Sequence, residues 1–131
     1  MFRLSQKSDY GLIFLSNLSK SKKLVSISSV AKKNKISAKF LSQVASELRK
    51  AGFVTAKEGV FGGYTLAKPA DKINILDVLK TLDGELVVGE CFEEDHECNC
   101  GGRDMFVAMK KKMEETIGKK TVADLALTAH E

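Results

Sequence analysis

Apolar residues recur along the chain in blocks whose period changes from three and four to two and back again. Between Ser5 and Ser19, Tyr10, Ile13 or Phe14, and Leu18 fall one helical turn apart, which predicts a first helix. Ser26 or Ser28 can cap a short second helix reaching Asn34. Lys35-Ile36 reads as a tight connection. Ser37 then caps a third helix in which Phe40, Leu41, Val44 and Leu48 form one apolar stripe, with Gly52 as its stop. The pattern next becomes strand-like: Phe53–Lys57, a glycine-bearing turn over 58–63, and Tyr64–Ala67. Asn74-Ile-Leu-Asp77 starts a fourth helix carrying Leu76, Leu79 and Leu82, and Gly84 ends it. From about Gly102 to Ile117 a long helix places Phe106, Met109, Met113 and Ile117 on one face. Lys110, Lys111, Lys112, Glu114 and Glu115 take the other. Thr121-Val-Ala-Asp124 caps a short last helix.

A short helix, a tight turn and a capped longer helix, followed at once by a hairpin, form a winged helix-turn-helix. The expected fold is therefore mostly α with a small β-hairpin wing. The expected organisation is a DNA-binding domain over 1–84, a sensor loop over 85–101, and a dimerisation helix with a short terminal helix over 102–131. Because the long helix stands beyond a polar loop, its apolar seam is expected against the same helix of a second subunit, in a two-fold homodimer.

Charge sharpens this division. The net charge is +4, but residues 1–84 hold 15 of the 21 Lys and Arg and 6 of the 17 Asp and Glu, while 85–131 hold the acidic excess. A basic half suits a polyanion, and duplex DNA binds such surfaces through counterion release. The third helix is expected in the major groove, where Ser37, Lys39, Ser42 and Gln43 are its exposed polar positions. Lys39 suits a guanine edge and Gln43 an adenine edge. Lys32, Lys33, Lys35, Arg49 and Lys50 suit phosphates, or are plain surface charge. The chain has no apolar run long enough for a membrane helix and no signal-peptide pattern, so a cytoplasmic setting is expected. His96 and His130 have no nucleophile constellation beside them, and no nucleotide-binding motif occurs, so an enzyme is not expected.

All three cysteines, Cys91, Cys98 and Cys100, lie within ten residues. An odd, tight cluster suits metal or iron–sulfur ligation better than a disulfide framework. Six carboxylates, from Glu85 to Glu97, precede Arg103 in this stretch. They favour the neutral thiol and so disfavour a reactive-thiol switch, whereas a bound metal deprotonates its ligands by its own charge. Three thiols with His96 also make a zinc donor set. A small metal-trafficking or redox protein built on Cys98-Asn-Cys100 would explain the cysteines but leave the wing and the basic half unused.

Taken together, Ser8-Asp-Tyr-Gly-Leu12, Ile36-Ser-Ala-Lys-Phe-Leu41, Leu48-Arg-Lys-Ala-Gly-Phe-Val54, Gly62-Gly-Tyr-Thr-Leu-Ala-Lys-Pro69, Ile73-Asn-Ile-Leu-Asp-Val78 and Thr121-Val-Ala-Asp-Leu125 resemble the IscR/NsrR/CymR family of winged-helix regulators. The resemblance implies a homodimer on an imperfect palindromic DNA operator, acting as a repressor. In many members an iron–sulfur cluster, [2Fe–2S] or [4Fe–4S], sits on a three-cysteine loop and senses iron–sulfur status, iron or nitric oxide. Other members are cluster-free and use thiols or a protein partner. The resemblance also places Lys57, Gly62, Gly63 and Tyr64 of the wing at DNA.

The chain departs from that family in places. Members usually space the second and third cysteines by about five residues, whereas only Asn99 stands between Cys98 and Cys100. The fourth ligand is open. Arg103 stands where IscR-like members have His. Asp9 matches the acid that NsrR-like members use near the start of the first helix, although an acid there also suits the helix dipole. His96 is a further candidate. Ser42 replaces a Glu of IscR-like members, and Glu58 replaces an Arg that often reaches the minor groove, leaving Lys57 as the nearest cation. The operator is therefore expected to differ from known ones.

Overall fold

The computed structural model describes residues 5–84 and 102–127. Four serine or asparagine caps start its helices where the sequence places them. Ser5 accepts from the Ser8 N–H at the head of α1 (Gln6–Lys20), and Ser26 from Ser29 at α2 (Ile27–Asn34). Ser37 accepts from Phe40 at α3 (Ala38–Lys50), and Asn74 from Asp77 at α4 (Ile75–Asp83). Each cap satisfies one of the orphan donors that a helix start exposes.

The turn between α2 and α3 is built on Lys35, which is left-handed at φ 56° while the Ile36 N–H bonds to the Ala31 carbonyl. That is a Schellman stop with lysine where glycine is usual. Gly52, at φ 87°, ends α3 the same way, with the Phe53 N–H on the Leu48 carbonyl.

Strands β1 (Val54–Lys57) and β2 (Gly63–Leu66) pair antiparallel, Lys57 opposite Gly63. The turn end of the hairpin is stitched to the segment between α1 and α2. Val25 and Tyr64 exchange both backbone hydrogen bonds, at 2.9 and 2.8 Å. A Cβ on Gly63 would lie 2.8 Å from the Val25 carbonyl oxygen, so the close approach demands glycine.

The core gathers Phe14, Leu15 and Leu18 of α1 with Leu41, Val44 and Leu48 of α3, Val54 of β1, and Val78, Leu79 and Leu82 of α4. Within α4 the buried stripe is Ile75, Val78, Leu79 and Leu82, with Leu76 only half-buried. A 3-10 turn over Ala70–Lys72, which the apolar pattern does not foretell, leads into α4.

The partition at residue 84 is a division of the sequence. In the fold, the described C-terminal residues return to the first domain. The Ile75 N–H bonds to the Lys120 carbonyl, and the Val122 N–H to the Ile73 carbonyl. The Asn74 amide, besides capping α4, donates to the Gly118 carbonyl at 2.7 Å. Helix α6 (Val122–Leu127) packs on α1, and Val122 is fully buried in the core. The Thr121/Asp124 box starts α6 as its sequence suggests, with the Thr121 N–H on the Asp124 carboxylate at 2.8 Å. Helix α5 (Arg103–Ile117) differs from the others. It packs on α4, none of its described side chains is buried, and Met105 and Val107 are exposed.

Candidate nucleic-acid interface and metal centre

Helix α3 turns Leu41, Val44, Ala45 and Leu48 into the core, so the intervening positions face outward by geometry. Lys39, Ser42, Gln43, Arg49 and Lys50 are all exposed. Ser42 and Gln43 line an open groove with Lys7, Phe40, Glu47 and Lys50, along the outer side of α3 and the start of α1. Ser37 is exposed as well, but its hydroxyl oxygen is already accepting from the Phe40 N–H at 3.2 Å, which leaves its proton for an external acceptor. Lys32, Lys33 and Lys35 are exposed on α2 and the turn. Lys33 lines a second open groove with Lys20 and Ser29, which adds Lys20 to the cations on this side. Sequence reading misses Lys20 because it lies two residues past Leu18, the end of the apolar stripe of α1, and outside the helix-turn-helix pattern.

The wing residues divide into two groups. Lys57 is exposed and able to reach a partner. Gly62, Gly63 and Tyr64 each have structural work. A Cβ on Gly62 would fall 2.1 Å from the Lys57 carbonyl oxygen. The Tyr64 ring meets the Phe14 ring edge-on, with centroids 5.3 Å apart, so Tyr64 locks the wing onto α1.

Cys91, Cys98, Cys100 and His96 lie outside the described residues. Asp9 is described. It sits in the first turns of α1, is exposed, and makes no side-chain hydrogen bond or ion pair among the described residues. Among those residues no group of three or more His, Cys, Asp or Glu is arranged to hold a metal.

The junction beside Asp9 is built in detail. The Ser5 hydroxyl donates to both oxygens of the Asp83 carboxylate, at 2.6 and 2.7 Å. The fully buried Ser8 hydroxyl donates to the same carboxylate. Asp83 is the last residue of α4, where the helix dipole disfavours an acid, and it lies at the head of α1, where the dipole favours one. The departure point of the cysteine-bearing segment is thereby fastened to the first turn of α1. From there two contacts reach α3: Lys7 with Glu47 at 2.9 Å, and the Tyr10 and Phe40 rings edge-on at 5.2 Å. The ion pair is more than a third exposed on both sides and contributes about 0.2–1 kcal/mol. Ser5, Ser8 and Asp83 escape sequence reading because their contacts span about the length of the DNA-binding domain. The one local signal is an acid at the wrong end of a helix.

No helix among the described residues is long and apolar enough to cross a membrane. A family profile described as an iron-dependent transcriptional regulator, Rrf2, matches residues 4–128. The chain is 30% identical to the HTH-type transcriptional regulator CymR of Bacillus subtilis over 126 residues, 95% of this chain and 89% of that protein. The solved structure of that protein, described as the global cysteine regulator, superposes with a TM-score of 0.83 at 30% identity, covering 99% of this chain and all of the other. The oxidised form of Staphylococcus aureus CymR gives a TM-score of 0.80 at 26% identity, covering 99% of this chain and 100% of that one. IscR of T. potens gives 0.81 at 28% identity, covering 98% of this chain and 89% of that one. With its helix-turn-helix, its wing and a profile match over nearly its whole length, the chain belongs to the Rrf2 family of transcription regulators, and it is a DNA-binding protein rather than an enzyme.

Proposed function

We propose that the chain is a cytoplasmic, homodimeric repressor that binds an imperfect palindromic operator with an affinity set by an iron–sulfur cluster on Cys91, Cys98 and Cys100. One observation carries the reading: every cysteine of the chain falls in ten residues between the wing domain and α5, with acidic rather than basic company. Asp9 suits the fourth position by its chemistry. It is a free, exposed carboxylate on the turn to which Asp83 is fastened, with His96 as the other candidate. A cluster, when bound, would supply a redox- and nitric-oxide-sensitive group whose loss changes the charge and shape of the segment.

The chain's own residues would do the rest. Asp83 and the Ser5/Ser8 pair would hold the start of the segment against α1. The Lys7–Glu47 and Tyr10–Phe40 contacts would pass a shift of α1 to the recognition helix. A cluster that favours one arrangement by about 3 kcal/mol would change operator affinity more than a hundredfold.

A second reading is supported by the likeness to CymR. There the thiols would act without a cluster, through oxidation, zinc or a protein partner. Anaerobic purification with iron and acid-labile sulfide per subunit, joined to operator binding by the as-isolated and the chelator-treated protein, separates the two. Matching iron and sulfide with a change in binding after removal supports the cluster. A colourless protein that resists reconstitution and still binds DNA overturns it in favour of the thiol reading.

A further inference from the structure

We propose that the tip of the wing enters the DNA minor groove through apolar side chains, Phe61 acting as a wedge at a base step with Val60 against the adjoining sugars. This rests on the reading of the hairpin as the DNA-contacting wing. The tip is a four-residue turn, Gly59-Val60-Phe61-Gly62, closed by the Gly62 N–H on the Gly59 carbonyl at 3.0 Å. Its two central residues are 96% and 91% exposed, the most exposed large hydrophobic side chains among the described residues.

Three features turn that exposure into a DNA contact. Glycines stand on both sides of the pair, so the tip is only two side chains wide. A minor groove about 6 Å across admits such a tip where a bulkier turn would be stopped. The hairpin is held just below its turn by the Val25–Tyr64 hydrogen bonds and the Phe14–Tyr64 ring contact, so the tip is presented from a firm support on the domain that carries α3. The tip also offers no net positive charge. Exposed Lys57 and Glu58 offset one another, which leaves apolar surface rather than phosphate attraction as its contribution. Apolar wedges entering from the minor groove partly unstack a step and bend the duplex, most easily at pyrimidine–purine steps.

The probe for the test is a 30-base-pair duplex recovered by the wild-type protein from a random-sequence pool. Affinity is read by fluorescence anisotropy over a salt series, and bending by energy transfer between dyes at the duplex ends. The expected result is that Phe61→Ala weakens binding roughly tenfold or more. It should straighten the duplex while leaving the salt slope unchanged, because no phosphate contact is lost. Phe61→Trp should retain the bend. The side chain supports nothing in the fold, so the thermal midpoint of Phe61→Ala should match the wild type. Equal affinity and equal bend for Phe61→Ala would overturn the wedge while leaving DNA binding intact. So would a change in the sedimentation of DNA-free protein, which would make the tip a protein contact. Failure of the wild type to recover any duplex would overturn both the wedge and the DNA-binding reading beneath it.

Discussion

Replacing Asp83 with alanine tests whether the junction between α4 and α1 is a structural fastening. The carboxylate accepts from two hydroxyls of very different exposure. Ser5 is exposed and can turn to water once its acceptor is gone, at a loss of about 0.5–1 kcal/mol. Ser8 is fully buried, and its hydroxyl would lose a charged acceptor with no water to replace it, at about 1–3 kcal/mol. The dipole term has two opposing parts, the head of α1 and the tail of α4, and largely cancels. The expected loss is about 2 kcal/mol, or roughly 8 °C in Tm for a domain of this size. Thermal and urea unfolding at one fixed protein concentration measure it, since any self-association makes stability depend on concentration. Ser8→Ala removes the buried donor together with its need for a partner and should lose about 1 kcal/mol. The double variant should be less damaged than the two losses added together, with a coupling of about 1 kcal/mol. A Tm drop below about 2 °C for Asp83→Ala, or strict additivity with Ser8→Ala, would refute the fastening.

Other outcomes follow from the same structure. Gly63→Ala should destabilise the fold by about 1–3 kcal/mol, because its Cβ would meet the Val25 backbone rather than a yielding side chain; urea midpoints check this. Lys33→Ala should weaken binding to all duplexes alike and reduce the salt slope by about one, whereas Gln43→Ala should relax selectivity at one base pair with the slope unchanged; anisotropy on matched and mismatched duplexes distinguishes them. Met105→Glu with Val107→Glu, on the exposed part of α5, should shift sedimentation from dimer towards monomer while the monomer's helicity persists.

The parts of this fold written in local chemistry were legible in the sequence. Ser26, Ser37 and Asn74 read as caps because a short oxygen-bearing side chain before an amphipathic run has a local use, and the structure starts a helix after each. Gly52 could be read for the same reason, as could the Thr121/Asp124 box. Lys35 in a left-handed conformation was only half legible. The turn was evident, but nothing in a lysine announces a positive φ. What depends on distant partners did not show. The Ser8–Asp83 bond joins residues at the two ends of the DNA-binding domain, and Val122 enters a core made of earlier elements. Gly62, Gly63 and Tyr64 read as wing chemistry and are also packing residues, a distinction that a pattern cannot draw.

The return of residues 118–122 to the first domain has a consequence for how the stretch before them can vary in length. Residues 118–122 are hydrogen-bonded to residues 73–75 and α5 lies on α4, so residues 85–101 are bracketed by two stretches anchored to the same body. For such an excursion the entropy of closure rises only with the logarithm of length, so doubling it adds about 0.6 kcal/mol. By that measure a change of length among the cysteines adds little to the cost of closing the domain. On the proposed ligand role of the thiols, the spacing Cys98-Asn99-Cys100 would answer to the ligand's chemistry and not to the wing or the recognition helix.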